Sequence, residues 1–155
     1  MEPFALPVGQ TELFSLFGPV DTYLAPYITY VLLALLVVNM VFRAVEYNQH
    51  VSQAEDGGDE AITRNVGRVA TNFLLVVGSF YYLTVEPHGG MVFSVLFLGV
   101  FITDLFEFES RKVEARRGID IERPKGAIAA SLFVLAYISY TTLFFLVAPV
   151  WDAIV

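Results

Sequence analysis

Four long runs of this chain carry almost no charge, and each approaches the length needed to cross a lipid bilayer. A membrane-spanning helix needs about 20 mostly apolar residues to traverse roughly 30 Å of hydrocarbon. The runs cover about residues 23–43, 66–85, 90–108 and 126–148. With no water at that depth to satisfy peptide groups, such segments must be helical. The expected fold is therefore all-α, a polytopic membrane protein built as an antiparallel bundle of four transmembrane helices. Only 16% of the 155 residues are charged, against about 25% in soluble domains. Between the second and third runs stands only Glu86-Pro87-His88-Gly89, rich in helix breakers, so these two spans should form a tight hairpin.

Orientation follows from where Lys and Arg fall, because cytoplasmic loops collect them. Arg43, Arg64 and Arg68 flank the first long loop, and Arg111, Lys112, Arg116, Arg117, Arg123 and Lys125 surround the second. These nine are the entire basic complement. Both termini are therefore expected outside the cell membrane, with loops 44–65 and 109–125 in the cytoplasm. Residues 1–22 contain no basic leader or cleavage signal, which argues against a removable signal peptide. Their Phe4, Leu6, Leu13, Phe14, Leu16 and Phe17, set among Pro and Gly, suit an N-terminal interfacial segment ahead of a membrane domain over 23–155. A disordered tail is the alternative.

The formal net charge of −7 comes from carboxylates concentrated in the same loops, five between Glu46 and Glu60 and six between Asp104 and Glu122. Such a face stays hydrated where high ionic strength screens ordinary electrostatics, and it suggests a salt-adapted cell. A basic partner would fit the same composition. The run Glu55-Asp56-Gly57-Gly58-Asp59-Glu60 lacks the alternating ligands of a calcium loop and reads as a solvated turn. Residues 106–117 read as one helix, with Glu107–Arg111 and Glu109–Lys112 as surface pairs, Gly118 as its stop and Pro124 opening the next helix. The basic residues here would attract anionic lipid headgroups only weakly, because acids are interleaved with them.

Charged groups at membrane depth are costly and are candidates for function. Asp104 and Glu107 fall inside the nominal end of the third span, and Arg68 and Asn72 lie one turn apart on the facing helix. An antiparallel hairpin puts Arg68 level with Glu107, and Asn72 level with the Thr103–Asp104 step. A buried cluster of Arg68, Asn72, Asp104 and Glu107 is expected near the cytoplasmic side, joined by Arg43 or Lys125. It would lock the hairpin register or, alternatively, hold a proton or cation. Nearer the outside, Tyr27, Tyr30, Tyr81, Tyr82, Tyr137 and Tyr140 form an outer tyrosine layer. That layer is an interfacial belt with interhelical hydrogen bonds, or the lining of a polar pocket. Gly126-x-x-x-Ala130, Ala127-x-x-x-Ser131 and Gly78-Ser79 allow close helix approach.

The absence of Cys excludes disulfides, Cys-ligated zinc and iron–sulfur clusters, and the two His, neither in an apolar run, exclude bis-histidine haem in the bilayer. No catalytic constellation, metal site or cofactor is expected, and nothing points to nucleic acid. The expected partners are the lipid bilayer and either another membrane protein or further copies of the chain. A structural or accessory subunit of a membrane assembly is the leading reading, with no enzyme activity. A small ion or solute transporter or channel, using the cytoplasmic-side carboxylates, is the alternative.

Several stretches resemble a family of uncharacterised small membrane proteins from haloarchaea that carries a domain-of-unknown-function label. They are Gly57-Gly58-Asp59-Glu60-Ala61-Ile62, Gly78-Ser79-Phe80-Tyr81-Tyr82-Leu83, His88-Gly89-Gly90-Met91, Phe106-Glu107-Phe108-Glu109 followed by Arg111-Lys112-Val113-Glu114-Ala115-Arg116, and Glu122-Arg123-Pro124-Lys125-Gly126-Ala127-Ile128. The resemblance implies a salt-loving archaeal source and four helices. It implies no activity.

Overall fold

The computed structural model describes residues 17–154. A short helix α1 (Gly18–Leu24) passes through a 3-10 turn (Ala25–Tyr27) into α2 (Ile28–Gly57), which ends in a second 3-10 turn (Gly58–Ala61). Helices α3 (Val66–Val85), α4 (Pro87–Arg116) and α5 (Lys125–Ile154) follow. Among the described residues, four helical segments are long and apolar enough to cross a membrane. Of the expected interfacial segment, residues 1–16 lie outside the described residues, and the remainder forms the start of α1.

Local sequence explains most of the boundaries. The Asn65 side chain accepts from the Arg68 N–H at 3.1 Å and caps α3. Glu86 caps α4 by accepting from the Gly89 N–H at 3.0 Å, with Pro87 in the first turn, where its missing donor costs nothing. The α3–α4 hairpin closes so tightly that a Cβ at Gly90 would sit 2.2 Å from the Leu83 Cα. Gly58 and Gly118 stop α2 and α4 with left-handed φ values of 68° and 66°, a conformation open to glycine.

The loop expected at 44–65 is largely helical, and the helix expected over 106–117 is the end of α4, which stops at Arg116. From Ile28 to Asp56 the chain has no Gly or Pro, so nothing interrupts α2 where the hydrocarbon ends. At 1.5 Å per residue the 30 residues of α2 and of α4 span about 45 Å, while the 20 of α3 span about 30 Å. The surplus of α2 and α4 projects past the start of α3 on the side rich in Arg and Lys.

The closest packing is within the α3–α4 hairpin; α2 lies along α3, and α5 closes the bundle against α2 and α4. Leu32, Leu36, Leu75, Phe93, Phe97, Val100, Val134 and Ile138 fill the centre. Phe73, Val95, Phe106 and Phe133 are exposed on the bundle surface. Helix α5 is apolar nearly all round, and its last turns, with Phe145, Val150 and Trp151, are exposed.

Candidate functional site

Each long helix buries one continuous stripe at alternating spacings of three and four residues. On α2 it runs through Ile28, Leu32, Leu36, Asn39, Arg43, Glu46 and His50; on α3 through Arg68, Asn72, Leu75, Ser79 and Tyr82. On α4 it runs through Phe93, Phe97, Val100, Asp104, Glu107 and Arg111, and on α5 through Ala127, Ser131, Val134 and Ile138. The stripes change character together, passing from apolar to polar at Leu36/Asn39, Leu75/Asn72, Val100/Asp104 and Val134/Ser131. The interior is therefore an apolar half set on a buried ionic layer.

Arg68 is fully buried and donates from Nε to Asp104 at 2.7 Å, and from Nη1 to the Asn39 carbonyl at 2.9 Å. Asn39 in turn donates to Asn72 and to the Thr71 hydroxyl, both at 2.8 Å. Arg64, at the edge, reaches Asp104 at 3.2 Å. Glu107 is paired with Arg111 and lies 3.5 Å from Arg43 Nε. Arg43 donates from Nη1 to the Ala127 carbonyl at 2.8 Å and to the Ser131 hydroxyl. Glu46 accepts from the Asn65 N–H at 3.0 Å and lies within 4 Å of Arg68, Arg111 and His50. Among the described residues, three buried arginines (Arg43, Arg68, Arg111) thus oppose three buried carboxylates (Glu46, Asp104, Glu107).

Arg68, Asn72, Asp104 and Glu107 all lie in this layer, with two corrections to the expected geometry. Arg68 meets Asp104 and not Glu107, because the hairpin register is about one helical turn tighter than a pairing centred on Pro87–His88. The Glu107–Arg111 pair, expected on the surface, is buried, because it continues the stripe that contains Asp104. Arg43 belongs to the layer, whereas Lys125 is exposed at the start of α5. Asn39, Glu46, His50 and Thr71 also join the layer without being expected in it, together with Arg111, expected only in a surface pair, and Ser131, expected only as a small residue for close packing. Their signal is the run 39–43–46–50, which continues the apolar stripe of α2 with polar residues.

His50 lies on α2 past the apolar run that ends near Arg43 and is fully buried. Arg111 donates to its Nδ1 at 3.0 Å, so Nε2 carries the proton that goes to the Thr63 carbonyl at 2.9 Å. Burial pushes the imidazole pKa below its ordinary value. The ring ties α2 to the linker before α3 and to α4. Toward the ends of α2 and α4, the exposed Arg116 guanidinium 2.8 Å from half-buried Asp59 holds that carboxyl below the usual range.

The outer tyrosines occupy separate surroundings. Tyr27, Tyr30 and Tyr140 are exposed on the bundle surface. Tyr81 donates to Asp21 at 2.7 Å, buried Tyr82 donates to Glu86 at 3.2 Å, and Tyr137 packs edge-on against Phe93 with ring centroids 5.3 Å apart. Ala127 and Ser131 do allow a close approach, which the Arg43 guanidinium uses, while Gly126 faces open space.

A family model described as a domain of unknown function (DUF7313) matches residues 12–155. No curated protein and no solved structure matches the chain.

Proposed function

The chain belongs to the DUF7313 family, whose function is unknown, and from its geometry we propose that it serves as a structural or accessory subunit of a membrane assembly, without enzymatic activity of its own. One observation carries this reading: where the four stripes meet, the interior is filled. Above the ionic layer, Leu36, Leu75, Phe97, Val100 and Val134 occupy the axis a solute would follow. Within it, each buried carboxylate has an arginine within 4 Å. Matched pairs of this kind fix register and exclude alternative packings. We place both termini outside and the ends of α2 and α4 in the cytoplasm, on the strength of the one-sided Arg and Lys. The acidic residues of that face fit a salt-rich cytoplasm.

Affinity purification in mild detergent, with identification of co-purifying chains, tests this. A stoichiometric membrane-protein partner is the expected result. A protein that purifies alone and supports solute or proton flux in liposomes, with the flux lost on Asp104→Asn, would establish the transporter reading instead. The specific feature favouring that second reading is the presence of ionised groups at membrane depth.

A further inference from the structure

A cleft of about 360 Å³ runs between α2 and α5 on the cytoplasmic side. Its wall grades from apolar to cationic along the bundle axis. Met40 and Ile128 stand at the end nearest the hydrocarbon, Arg43 and Ala44 come next, and Tyr47, Asn48 and Arg123 stand at the cytoplasmic end. Two arginines and no carboxylate line it. The cleft between α2 and the start of α3 also lacks a carboxylate, but it holds the single arginine Arg64. The neighbouring cleft between α4 and α5 also reaches Arg123, but it carries Glu107, Glu114 and Glu122.

Two further features point to an anion. Arg43 is 5% exposed, and although Nη1 is used by the Ala127 carbonyl and the Ser131 hydroxyl and Nε faces Glu107 at 3.5 Å, Nη2 has no hydrogen-bond partner. A buried guanidinium with a free donor retains unspent binding capacity. The cleft also lies against the first turn of α5, a 30-residue helix whose N-terminus carries partial positive charge. At the rim, exposed Arg123 stands 5.8 Å from the Tyr47 ring, and Tyr47 donates to the Ile121 carbonyl at 3.2 Å, holding the Arg123 loop against α2.

We propose that this cleft is a binding site for the phosphodiester of an anionic membrane lipid from the cytoplasmic leaflet. The arginines take the phosphate, and Met40 and Ile128 receive the glycerol and first acyl carbons. The gradient argues for a lipid over free phosphate, since inorganic phosphate has no use for the apolar end. Interleaved acids weaken lipid attraction elsewhere on this face, and the cleft is a place from which they are missing.

The test is native mass spectrometry of the full chain in mild detergent, titrated separately with phosphatidylglycerol, phosphatidylcholine and inorganic phosphate. Phosphatidylglycerol should bind at least about five-fold more tightly than phosphatidylcholine, and Arg123→Gln should weaken it by about five-fold, as expected for one basic side chain at a membrane surface. Arg117→Gln, outside the cleft, should leave it unchanged. Arg123 is exposed, so its variant keeps the fold, and Arg43→Gln adds a second reading where it folds. Equal binding of the two lipids, or an Arg123→Gln titration that matches the wild type, would overturn the proposal. Inorganic phosphate competing phosphatidylglycerol away at equal concentration would overturn the lipid assignment.

Discussion

Arg68 illustrates how a residue costly to bury becomes indispensable once buried. Its Nε is bonded to Asp104 and its Nη1 to Asn39, and neither partner has another strong cation in its place except Arg64 at the edge. Removing one member of a buried pair leaves the other uncompensated, at a cost of about 3–5 kcal/mol. Arg68→Met and Asp104→Asn should each lose stability on that scale in denaturant unfolding of the detergent-solubilised protein. The double variant Arg68→Met/Asp104→Asn should lose less than the sum of the two single losses, and additive losses would show that the pair does not act as a unit. His50 makes a different prediction. Its pKa in the fold lies below the ordinary 6.5, so the unfolded chain takes up the proton first. The stabilising contribution is complete above the unfolded pKa and declines as pH falls through it toward the folded value. Glu46 on α2, Arg64 on the linker and Arg111 on α4 face the ring, and Arg111 would then oppose an imidazolium. Limited proteolysis of the 58–65 linker should accelerate as the pH falls below the ordinary imidazole pKa of 6.5. His50→Gln, which keeps a donor for the Thr63 carbonyl, should flatten that dependence.

Among the elements, the α3–α4 hairpin is the least tolerant of change. Gly90→Ala puts a methyl group 2.2 Å from the Leu83 backbone and should cost about 1–3 kcal/mol or more, as overpacking does. Gly99→Ala, in the middle of the same helix with nothing within 4 Å, should stabilise by about 0.5–1 kcal/mol through helix propensity. Thermal unfolding of the two variants compares them directly. The hairpin was also the most legible element, because α3 occupies the apolar run 66–85 and the breakers at 86–89 mark the turn. Helix α2 was legible only to Arg43, because a charge-based boundary marks where the hydrocarbon stops and not where the helix does. Asn39, Glu46 and Arg111 lie at stripe spacing and were within reach of a periodicity argument extended past the span. His50 was not, since its significance depends on Thr63 and Arg111, contacts created by tertiary packing.

At the scale of the whole molecule, the positive-inside distribution gives a topology that single thiols can test. The chain has no Cys, so Glu55→Cys and Asp152→Cys each create one reactive site on an exposed residue. A membrane-impermeant maleimide applied to intact cells should label the second and spare the first until the membrane is broken. The reverse pattern would invert the bundle and move the proposed lipid site to the other leaflet. The matched ionic layer has a consequence of an electrical kind. A membrane potential does about 2.3 kcal/mol of work per elementary charge per 100 mV. Three buried cations beside three buried anions present no net charge to that field, so voltage exerts almost no net pull on the layer. Energising the membrane should leave the bundle undisturbed, and neutralising Asp104 alone would leave one positive charge for the field to act upon.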